Sequence, residues 1–392
     1  VDVRDERTGT HMADAYARAS GSPGVIIAGQ NGPGATNLVT GVAQAKAAFS
    51  PLISIAGAIA TEHVGKDAFQ EVDQQKLFEP ITKKTFSIKK TSSISKTISE
   101  AFKISLSGRM GPVHINLPRD ILSKRIIFNE LKKHEKIKSK TIHKSKILKI
   151  ISVLSNSKKP VIIAGGGIKN SESSKEVIKL AKKINCPIVS SAGHGDVISF
   201  NEKLYAGQMG PRGNRIASDL VRNADVILAL GTRLGFNSTF FSYENINKYS
   251  KIIQVDIEQK AIAKYFKIEI GVCGDVKDIL KKLNNIIIKK KFNNVSSLWT
   301  KNLIERRKEY LKQRDINLSK KNFPIQPSVL FKCLRDVLPS SAAITLDAGT
   351  LCLQATDMFK FKNNKSLFTP LDFGLVGFSF ACGLGVKLAK PK

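Results

Sequence analysis

The chain has 392 residues, enough for two to four domains. Its 63 Lys and Arg residues outnumber 32 Asp and Glu residues and give a net charge of +31. Hydrophobic residues make up 42% of the chain, and no apolar run approaches the roughly 20 residues that a membrane-spanning helix needs. The composition therefore excludes a membrane-embedded protein, and we expect no membrane partner.

The excess of basic residues raises the question of a nucleic-acid partner. The Lys residues are spread over predicted helices and linkers and do not alternate with aromatic residues. We therefore interpret the charge as a Lys-rich surface and expect no nucleic-acid partner. Five widely spaced Cys residues without a CxxC pattern indicate reduced thiols in a cytoplasmic protein. The chain begins directly with folded-domain sequence, so we expect no signal peptide.

The first forty residues carry the most informative pattern. Residues 4–6 are interpreted as the end of a strand, residues 8–20 as a helix, and residues 25–28 as a short buried strand. A glycine-rich turn at 29–34 then leads into a second helix that begins near residue 35. Glycines let backbone approach a ligand, and a helix N-terminus accepts polar or anionic groups. The candidate ligand contacts of this turn are Gly32, Pro33, Gly34 and Asn37.

Three pieces of this region resemble the thiamine-diphosphate enzymes of the acetolactate synthase type. They are Glu6, the run His11-Met12-Ala13-Asp14-Ala15-Tyr16-Ala17-Arg18, and the run Gly32-Pro33-Gly34-Ala35-Thr36-Asn37. The resemblance implies that Glu6 is catalytic: it hydrogen-bonds the aminopyrimidine ring of the cofactor and relays a proton. Such a carboxyl must be partly buried to exchange a proton near neutral pH. The family usually has His before this Glu, and this chain has Asp5.

The first domain is predicted to span residues 1–125 and to close with a strand near residues 111–118, in which His114 is interpreted as structural. The segment Phe69-Gln70-Glu71 resembles the family segment that lines the substrate channel at the dimer interface. The resemblance implies a catalytic role for Gln70 and channel positions for Phe69 and Lys83. It also implies a homodimer or a dimer of dimers, with residues 30–80 at the contact.

Residues 126–145 are predicted to be a charged linker, and residues 146–290 a second α/β domain. Strands are predicted at 160–164, 187–191, 225–231 and 251–257. Because helical segments separate them, they indicate a parallel, doubly wound sheet.

By resemblance this second domain is the family's central domain, in which relatives carry FAD, ADP or no nucleotide. The candidate nucleotide contacts are Gly165, Gly166, Gly167, Gly231, Arg233, Asp256 and Asp275. Residues 207–213 and 234–239 depart from the synthase pattern and look more like the sulfoacetaldehyde acetyltransferase branch, which puts FAD in doubt.

Residues 291–322 are predicted to be a helical connector, and residues 323–392 to begin a third domain. The resemblance implies contacts with the cofactor diphosphate and pyrimidine from the backbone of Gly349, Thr350, Gly374, Leu375 and Val376. The family's Gly-Asp-Gly element, which holds Mg²⁺ and the diphosphate, does not occur in these residues. We therefore predict Mg²⁺ as a cofactor but no metal ligand within this chain, and expect an internal part of a longer enzyme that is inactive alone.

Together these patterns predict an α/β protein with three consecutive doubly wound parallel-sheet domains, the first and third incomplete. The predicted enzyme passes a two-carbon unit from pyruvate, or from a related 2-oxo acid or aldehyde, to an acceptor. Sulfoacetaldehyde acetyltransferase chemistry is the alternative branch. A basic protein that binds nucleotides or nucleic acid is an alternative of another class. An NAD-dependent dehydrogenase would need a GxGxxG run, which residues 165–170 do not supply.

Overall fold

The computed structural model describes residues 1–127, 142–287, 297–316 and 323–391. Taken over these residues, the chain forms two compact units. The first lies within Val1–Lys138, Ile344–Ala348 and Phe368–Lys392, and the second within Ser139–Ala343 and Gly349–Leu367. Among the described helices, none is both long and apolar enough to cross a membrane. The predicted third domain contributes to both units, and the boundaries of the three predicted domains stay a prediction.

The first unit is built on a parallel four-stranded sheet with the order β1-β2-β4-β3. Its strands are β1 (Gly24–Ala28), β2 (Leu52–Ala58), β3 (Lys84–Ser87) and β4 (Val113–Pro118). Its helices before residue 127 are α1 (Glu6–Ser20), α2 (Pro33–Ala47), α3 (Gln74–Phe78), α4 (Ile94–Leu106) and α5 (Arg119–Leu122).

Helix α1 begins two residues earlier than predicted, and the predicted strand end at residues 4–6 is wrong. Asp5 is the N-cap of the helix, because its carboxylate accepts hydrogen bonds from the backbone N–H groups of Arg7 (2.8 Å) and Thr8 (3.4 Å). At the other end Gly21 adopts φ +79° and donates its N–H to Ala17. Glu6 is therefore the first residue of a capped helix.

Strand β1 is confirmed in position, but the prediction that it is buried is wrong. It lies at the edge of the sheet, and its side chains alternate between buried and exposed. The exposed side chains are apolar: Val25 is 45% exposed and Ile27 is 65% exposed. An exposed edge strand and a buried one have the same composition, so the sequence pattern does not distinguish them.

The first unit also includes residues of the predicted third domain. Strands β11 (Ile344–Thr345) and β12 (Leu367–Phe368) pair, and α15 (Ser379–Ala389) packs against α1. The side chains shared by this packing are Ala15, Ala19, Phe368, Phe378, Cys382 and Val386. The two helices are in backbone contact, because a Cβ at Gly385 would lie 2.1 Å from the carbonyl oxygen of Met12.

The second unit contains a parallel six-stranded sheet with the order β10-β9-β8-β5-β6-β7. The strands are β5 (Pro160–Ala164), β6 (Ile188–Ser190), β7 (Tyr205–Gln208), β8 (Val226–Leu230), β9 (Lys251–Asp256) and β10 (Ile270–Cys273). Because strand order reverses between β5 and β8, the sheet grows outward in both directions, as a doubly wound sheet does. The four predicted strands are confirmed, whereas the edge strands β7 and β10 were not predicted.

Helices cover this sheet, and the apolar side chains form two separate clusters. The helices are α6 (Lys144–Ser155), α7 (Gly166–Asn170), α8 (Ser174–Ile184), α9 (Arg215–Asn223), α10 (Phe236–Thr239), α11 (Val276–Ile287), α12 (Ser297–Ile316), α13 (Pro327–Val337) and α14 (Thr350–Met358). Three cysteines differ in their surroundings: Cys186 lies in the core of this unit, Cys333 is exposed on α13, and Cys382 is buried in the first unit. The described part of the predicted connector 291–322 is helical, and its other residues, like most of the predicted linker 126–145, lie outside the described residues.

Candidate functional site

The carboxylate of Glu6 lies in the first turn of α1, where the helix dipole favours negative charge. Its Oε2 atom accepts a hydrogen bond of 3.0 Å from Nδ2 of Asn37, a residue near the start of α2. Glu6 is half-buried and Asn37 is exposed. The beginnings of two helices therefore meet at one carboxylate that solvent or a ligand can reach.

Gly32 and Gly34, at the start of α2, are each needed for a different structural reason. A Cβ at Gly34 would lie 3.5 Å from Oε1 of Glu6, so a larger side chain would fill the space beside the carboxylate. Gly32 has φ +53°, and a Cβ there would lie 2.7 Å from Cβ of Gln70. Gly32 thus permits the close approach of another loop, and Pro33 begins α2, a position that suits proline.

The predicted channel segment is in contact with this turn. Nδ2 of Asn31 donates to the carbonyl oxygens of Phe69 (3.5 Å) and Gln70 (3.4 Å), and the Phe69 side chain is 87% exposed. Glu71 fixes the loop, since its carboxylate accepts the N–H groups of Gly65 (2.6 Å) and Ala68 (3.0 Å), bonds that lower the pKa of Glu71. The structure therefore brings Phe69 and Gln70 to the glycine turn.

Lys83 makes contacts of a different kind. Its Nζ donates to the carbonyl oxygens of Ile104 and Ser107, each at 2.5 Å, at the end of α4. A cation at this position compensates the unpaired carbonyls of a helix C-terminus. These contacts stabilise the first unit, and the channel position of Lys83 stays a prediction.

His114 is a core residue, as expected from the sequence. It is fully buried, stacks on Phe78 with 3.6 Å between ring centroids, and hydrogen-bonds Ser54 (2.7 Å) and Asn116 (2.8 Å). Burial lowers the pKa of His114 to about 4. Phe78, which the sequence placed in the region of the dimer contact, is itself buried inside the first unit.

The predicted pyrimidine-binding residues form an open loop in the first unit. Gly374 has φ +83°, no atom lies within 4 Å of a Cβ built there, and Val376 is 83% exposed. The loop ends at α15, whose N-terminus is capped by Asp347: its carboxylate accepts the N–H groups of Gly377 (3.2 Å), Phe378 (2.6 Å) and Ser379 (2.6 Å). Leu375 is half-buried, and its carbonyl accepts the N–H of Ala348.

Asp347 was missed by the sequence reasoning. It lies just after strand β11, which ends at Thr345, but the amides it caps are about thirty residues further along the chain. No local spacing indicates this pairing. Gly349 and Thr350 belong to the second unit, where Gly349 is the N-cap of α14 with φ +136° and open space around it. An exposed helix N-terminus of this kind suits an anionic group.

The glycines of the candidate nucleotide site are explained by contacts inside the second unit. A Cβ at Gly165 would lie 2.4 Å from the carbonyl oxygen of Gly231, and a Cβ at Gly167 would lie 2.7 Å from Cα of Gly231. The loops after β5 and β8 therefore pack backbone to backbone. A Cβ at Gly166 would lie 2.8 Å from the ring of His194.

The charged residues among the candidate nucleotide contacts lie within the second unit, and two of them accept hydrogen bonds there. Asp256 is buried and accepts the N–H of Glu258 (2.9 Å), and Asp275 accepts the N–H groups of Lys277 and Asp278 at the start of α11. Arg233 is half-buried in the loop after β8. The set lies at the carboxyl ends of neighbouring parallel strands, and its nucleotide role stays a prediction. Within the described ranges, no group of three or more His, Cys, Asp or Glu side chains is placed to hold a metal ion.

Comparison with known proteins gives two family matches. Residues 1–77 match the model described as "Thiamine pyrophosphate enzyme, N-terminal TPP binding domain", and residues 147–283 match "Thiamine pyrophosphate enzyme, central domain".

Similar proteins extend along the whole chain. It is 35% identical over 408 residues to a "Probable acetolactate synthase large subunit" of Methanococcus aeolicus, covering 99% of this chain and 67% of that protein. It is 34% identical over 398 residues to an "Acetolactate synthase large subunit" of Buchnera aphidicola subsp. Schizaphis graminum, covering 100% and 68%. A "Sulfoacetaldehyde acetyltransferase" of Castellaniella defragrans is 29% identical over 410 residues, covering 100% and 68%. The chain spans about two thirds of the length of these relatives.

Proposed function

Since the chain belongs to the acetolactate synthase family of thiamine-diphosphate enzymes, we propose that it is part of a carboligase. The proposed reaction joins a two-carbon unit from pyruvate, or from a related 2-oxo acid, to a second 2-oxo acid. The relatives named acetolactate synthase range from 35% to 28% identity, and the sulfoacetaldehyde acetyltransferase, at 29%, falls inside that range. Carboligation is favoured by the relatives at 35% and 34%.

The observation that carries the proposal is the pair formed by Glu6 and Asn37. Asn37 occupies Oε2 of the carboxylate at 3.0 Å, which leaves Oε1 for a ligand, and Gly34 keeps the space beside Oε1 clear. A half-buried carboxylate with one oxygen fixed has a defined orientation and can still exchange a proton. This arrangement fits recognition of an aminopyrimidine nitrogen.

The loop at residues 373–377 fits the same cofactor. Space is open at the Cβ position of Gly374, whose N–H donates to the carbonyl oxygen of Pro370 at 2.7 Å, and the exposed Val376 offers an apolar contact. Thiamine diphosphate, when bound, supplies the electron sink for the two-carbon unit. Within the first unit we assign the proton relay to Oε1 of Glu6 and support of the ring to Leu375 and Val376. That Gly349 and Thr350 of the second unit bind the diphosphate stays a prediction.

Two further roles complete the proposal. Gln70 and Phe69 lie against the glycine turn, so we assign them to the approach of the substrate toward Glu6. Mg²⁺ prefers near-octahedral oxygen ligands and bridges protein to diphosphate. We propose that Mg²⁺ is required, and that the active unit is a homodimer or a dimer of dimers.

The test is a comparison of two reactions with the intact protein, thiamine diphosphate and Mg²⁺. One assay measures acetolactate formed from pyruvate, and the other measures acetyl phosphate and sulfite formed from sulfoacetaldehyde and phosphate. We expect acetolactate. Acetyl phosphate without acetolactate would assign the protein to the alternative branch, which the sequence at 207–213 and 234–239 resembles. Formation of neither product would refute both proposed reactions.

A further inference from the structure

One side of the second unit carries a concentration of lysines. Helices α6, α8 and α11 pack on the same side of the six-stranded sheet, and α11 contacts both of the others. Together they contain ten lysines and two acidic residues, Glu176 and Asp278. Eight of the lysines are exposed and two are half-buried. We call these ten the lysine face: Lys144, Lys146, Lys149, Lys175, Lys179, Lys182, Lys183, Lys277, Lys281 and Lys282.

Carboxylates neutralise little of this charge. Among the described residues, Lys182 is the one member of the face that forms an ion pair, at 3.1 Å from a carboxylate oxygen of Glu202. Lys183 and Lys282 donate instead to backbone carbonyl oxygens, which carry no net charge. Burial, together with the positive charge of Lys179, lowers the pKa of Lys183. Lysines of the face therefore repel one another, and an anionic ligand would relieve that repulsion.

The opposite side of the same sheet has a different charge balance. Helices α9 and α12 pack there, and they contain eight basic and four acidic residues. Asp219 of α9 lies 2.7 Å from Arg222 of its own helix and 2.7 Å from Arg306 of α12. Ion pairs thus compensate part of the positive charge on this side. A uniform excess of lysine over the surface does not explain the difference between the two sides.

The lysine face is formed by the fold and is not visible in the sequence. Its three helices are far apart along the chain, and on each helix the apolar residues that face the sheet leave the lysines on the outer side. The expectation that no nucleic acid binds depended on the spread of the lysines along the sequence. The fold removes this premise for the second unit, because it gathers ten of them on one side.

The composition of the face limits the class of ligand. The three helices contain no arginine and no aromatic residue, so they offer no bidentate contact to a base edge and no ring on which a base stacks. Leu148, at 40%, is the one large apolar side chain of these helices that is exposed, whereas the centre of a protein interface is rich in apolar and aromatic residues. Lysine ammonium groups bind phosphates as point charges. These features fit the repeated phosphates of a double helix.

The size of the face also matches a stretch of duplex. Helices of 11 and 12 residues are about 17 Å long, and packed helices lie about 8–10 Å apart, so the face measures about 20 Å in each direction. A duplex carries one charge per about 1.7 Å of its axis, which gives about 12 phosphates in this length, roughly half of them on one side. The face can therefore contact about six phosphates at once.

We propose that the lysine face binds the phosphate backbone of double-helical nucleic acid without sequence preference. The inference does not rest on the proposed function, because none of the ten lysines belongs to the candidate functional site. The phosphate backbone is common to DNA and RNA duplexes, so the experiment compares the two.

Fluorescence anisotropy with the intact protein measures the Kd of labelled duplexes of about 20 base pairs, one of DNA and one of RNA, between about 50 and 200 mM salt. The face variant removes one exposed lysine from each helix by Lys149→Gln, Lys179→Gln and Lys281→Gln. The control variant removes three exposed lysines of α12 by Lys301→Gln, Lys308→Gln and Lys312→Gln. Both variants lose the same charge, so the comparison separates position from net charge, and circular dichroism verifies their fold.

For the wild-type protein we expect the logarithm of the binding constant to fall with the logarithm of the salt concentration with a slope of about −5. That slope is a loss of affinity of about a thousandfold between 50 and 200 mM salt. The face variant should bind the duplex about tenfold or more weakly, with a slope shallower by about 2–3. The control variant should keep the slope and stay within about twofold of the wild-type Kd.

Equal losses in the two variants would overturn the inference, because net charge alone would then attract the duplex. Failure to bind either duplex at about 50 mM salt would overturn it as well. Tighter binding to phosphatidylcholine vesicles with about one third phosphatidylserine than to either duplex would assign the face to a membrane surface instead. Binding of only one of the two duplexes, with the expected loss in the face variant, would support the inference and identify which nucleic acid is bound.

Discussion

The Glu6 carboxylate lies between the N-terminal parts of two helices, because α1 begins at Glu6 and Asn37 near the start of α2 donates to Oε2. Both helix dipoles favour a negative charge at this position. The hydrogen bond from Asn37 uses one oxygen and fixes the plane of the carboxylate. Gly34 leaves the other oxygen accessible. In the proposed function, this carboxylate acts as a proton carrier.

For Glu6→Gln in the intact protein we expect kcat/KM to fall by about two orders of magnitude or more with no loss of fold, because the amide keeps the shape and loses the proton relay. Steady-state kinetics and circular dichroism measure the two effects. Glu62→Gln is the control, since the Glu62 side chain is 76% exposed in the same unit. Unchanged turnover in Glu6→Gln would remove Glu6 from the mechanism.

We expect the buried His114 to make the free energy of unfolding depend on pH. Its pKa in the folded protein is about 4, below the ordinary value of 6.5, because burial disfavours the charged ring. Between these values the unfolded chain binds more protons than the folded one. The stabilisation is therefore complete above pH 6.5 and is lost as the pH falls toward 4, by about 2–4 kcal/mol in total.

Urea unfolding at several pH values measures this slope. Burial also lowers the pKa of His11, which acts in the same direction, so part of the slope will remain when His114 is replaced. We expect His114→Gln, which keeps hydrogen-bonding capacity and does not titrate, to have a shallower slope than wild type between pH 6.5 and 4. An equal slope in both proteins would contradict the assignment.

At the scale of elements, the packing of α15 on α1 depends on the absence of a side chain at one position. A Cβ at Gly385 would lie 2.1 Å from the carbonyl oxygen of Met12, a backbone atom that does not move without moving α1. A Cβ at Gly383 would lie 3.6 Å from Oγ1 of Thr345, an ordinary contact. A side chain at Gly385 would therefore displace α1, whereas a side chain at Gly383 would fit.

We expect Gly385→Ala to lower the free energy of unfolding by about 2 kcal/mol or more, because the helices must separate. Gly383→Ala should be neutral, or should raise it by about 0.5–1 kcal/mol, because alanine is the better helix former. Thermal denaturation of both variants makes the comparison. If Gly385→Ala were as stable as Gly383→Ala, the contact between α15 and α1 would be wrong.

The elements that could be predicted from sequence are those with a strong local signal. Strands β5 and β8 are continuous apolar runs, and β9 has apolar residues at 252, 253 and 255; all three were predicted. Strands β7 and β10 are four residues long and contain glycine, so their sequences do not differ from loops. The cap at Asp5 was mistaken for a strand end, since an N-cap residue has extended backbone and only the hydrogen bonds identify it.

In the candidate site, too, only the residues with a local sequence signal could be predicted. Glu6, Gly34 and Asn37 were predicted because they fall in one short run of motifs, and they come together through the starts of two consecutive helices. Arg18 reaches Thr369 across 351 positions of sequence, and Asp347 caps residues 377–379. No local spacing encodes such contacts, because they depend on how α15 packs on α1.

At the scale of the whole molecule, the exposed Phe69 leads to a prediction about assembly. Its side chain is 87% exposed beside the glycine turn, and a large exposed aromatic is typical of the centre of an interface. We expect the intact protein to be a dimer or a dimer of dimers, and Phe69→Ser to weaken association about tenfold or more.

Light scattering after size-exclusion chromatography, over a range of concentrations, measures the association. Phe323→Ser is the matched control, since Phe323 is 94% exposed and lies outside residues 30–80. A monomer that keeps full turnover at high dilution would refute the proposed assembly.

The distribution of the free thiols has a practical consequence for chemical labelling. Burial raises the pKa of Cys186 and Cys382, so these thiols carry almost no thiolate while their units are closed. Cys382 becomes reactive only when α15 separates from α1, and Cys186 only when the core of the second unit opens. Cys333 is exposed and reacts without either event. The alkylation rates of these three cysteines therefore report the opening kinetics of the two units separately, in one molecule and without an added probe.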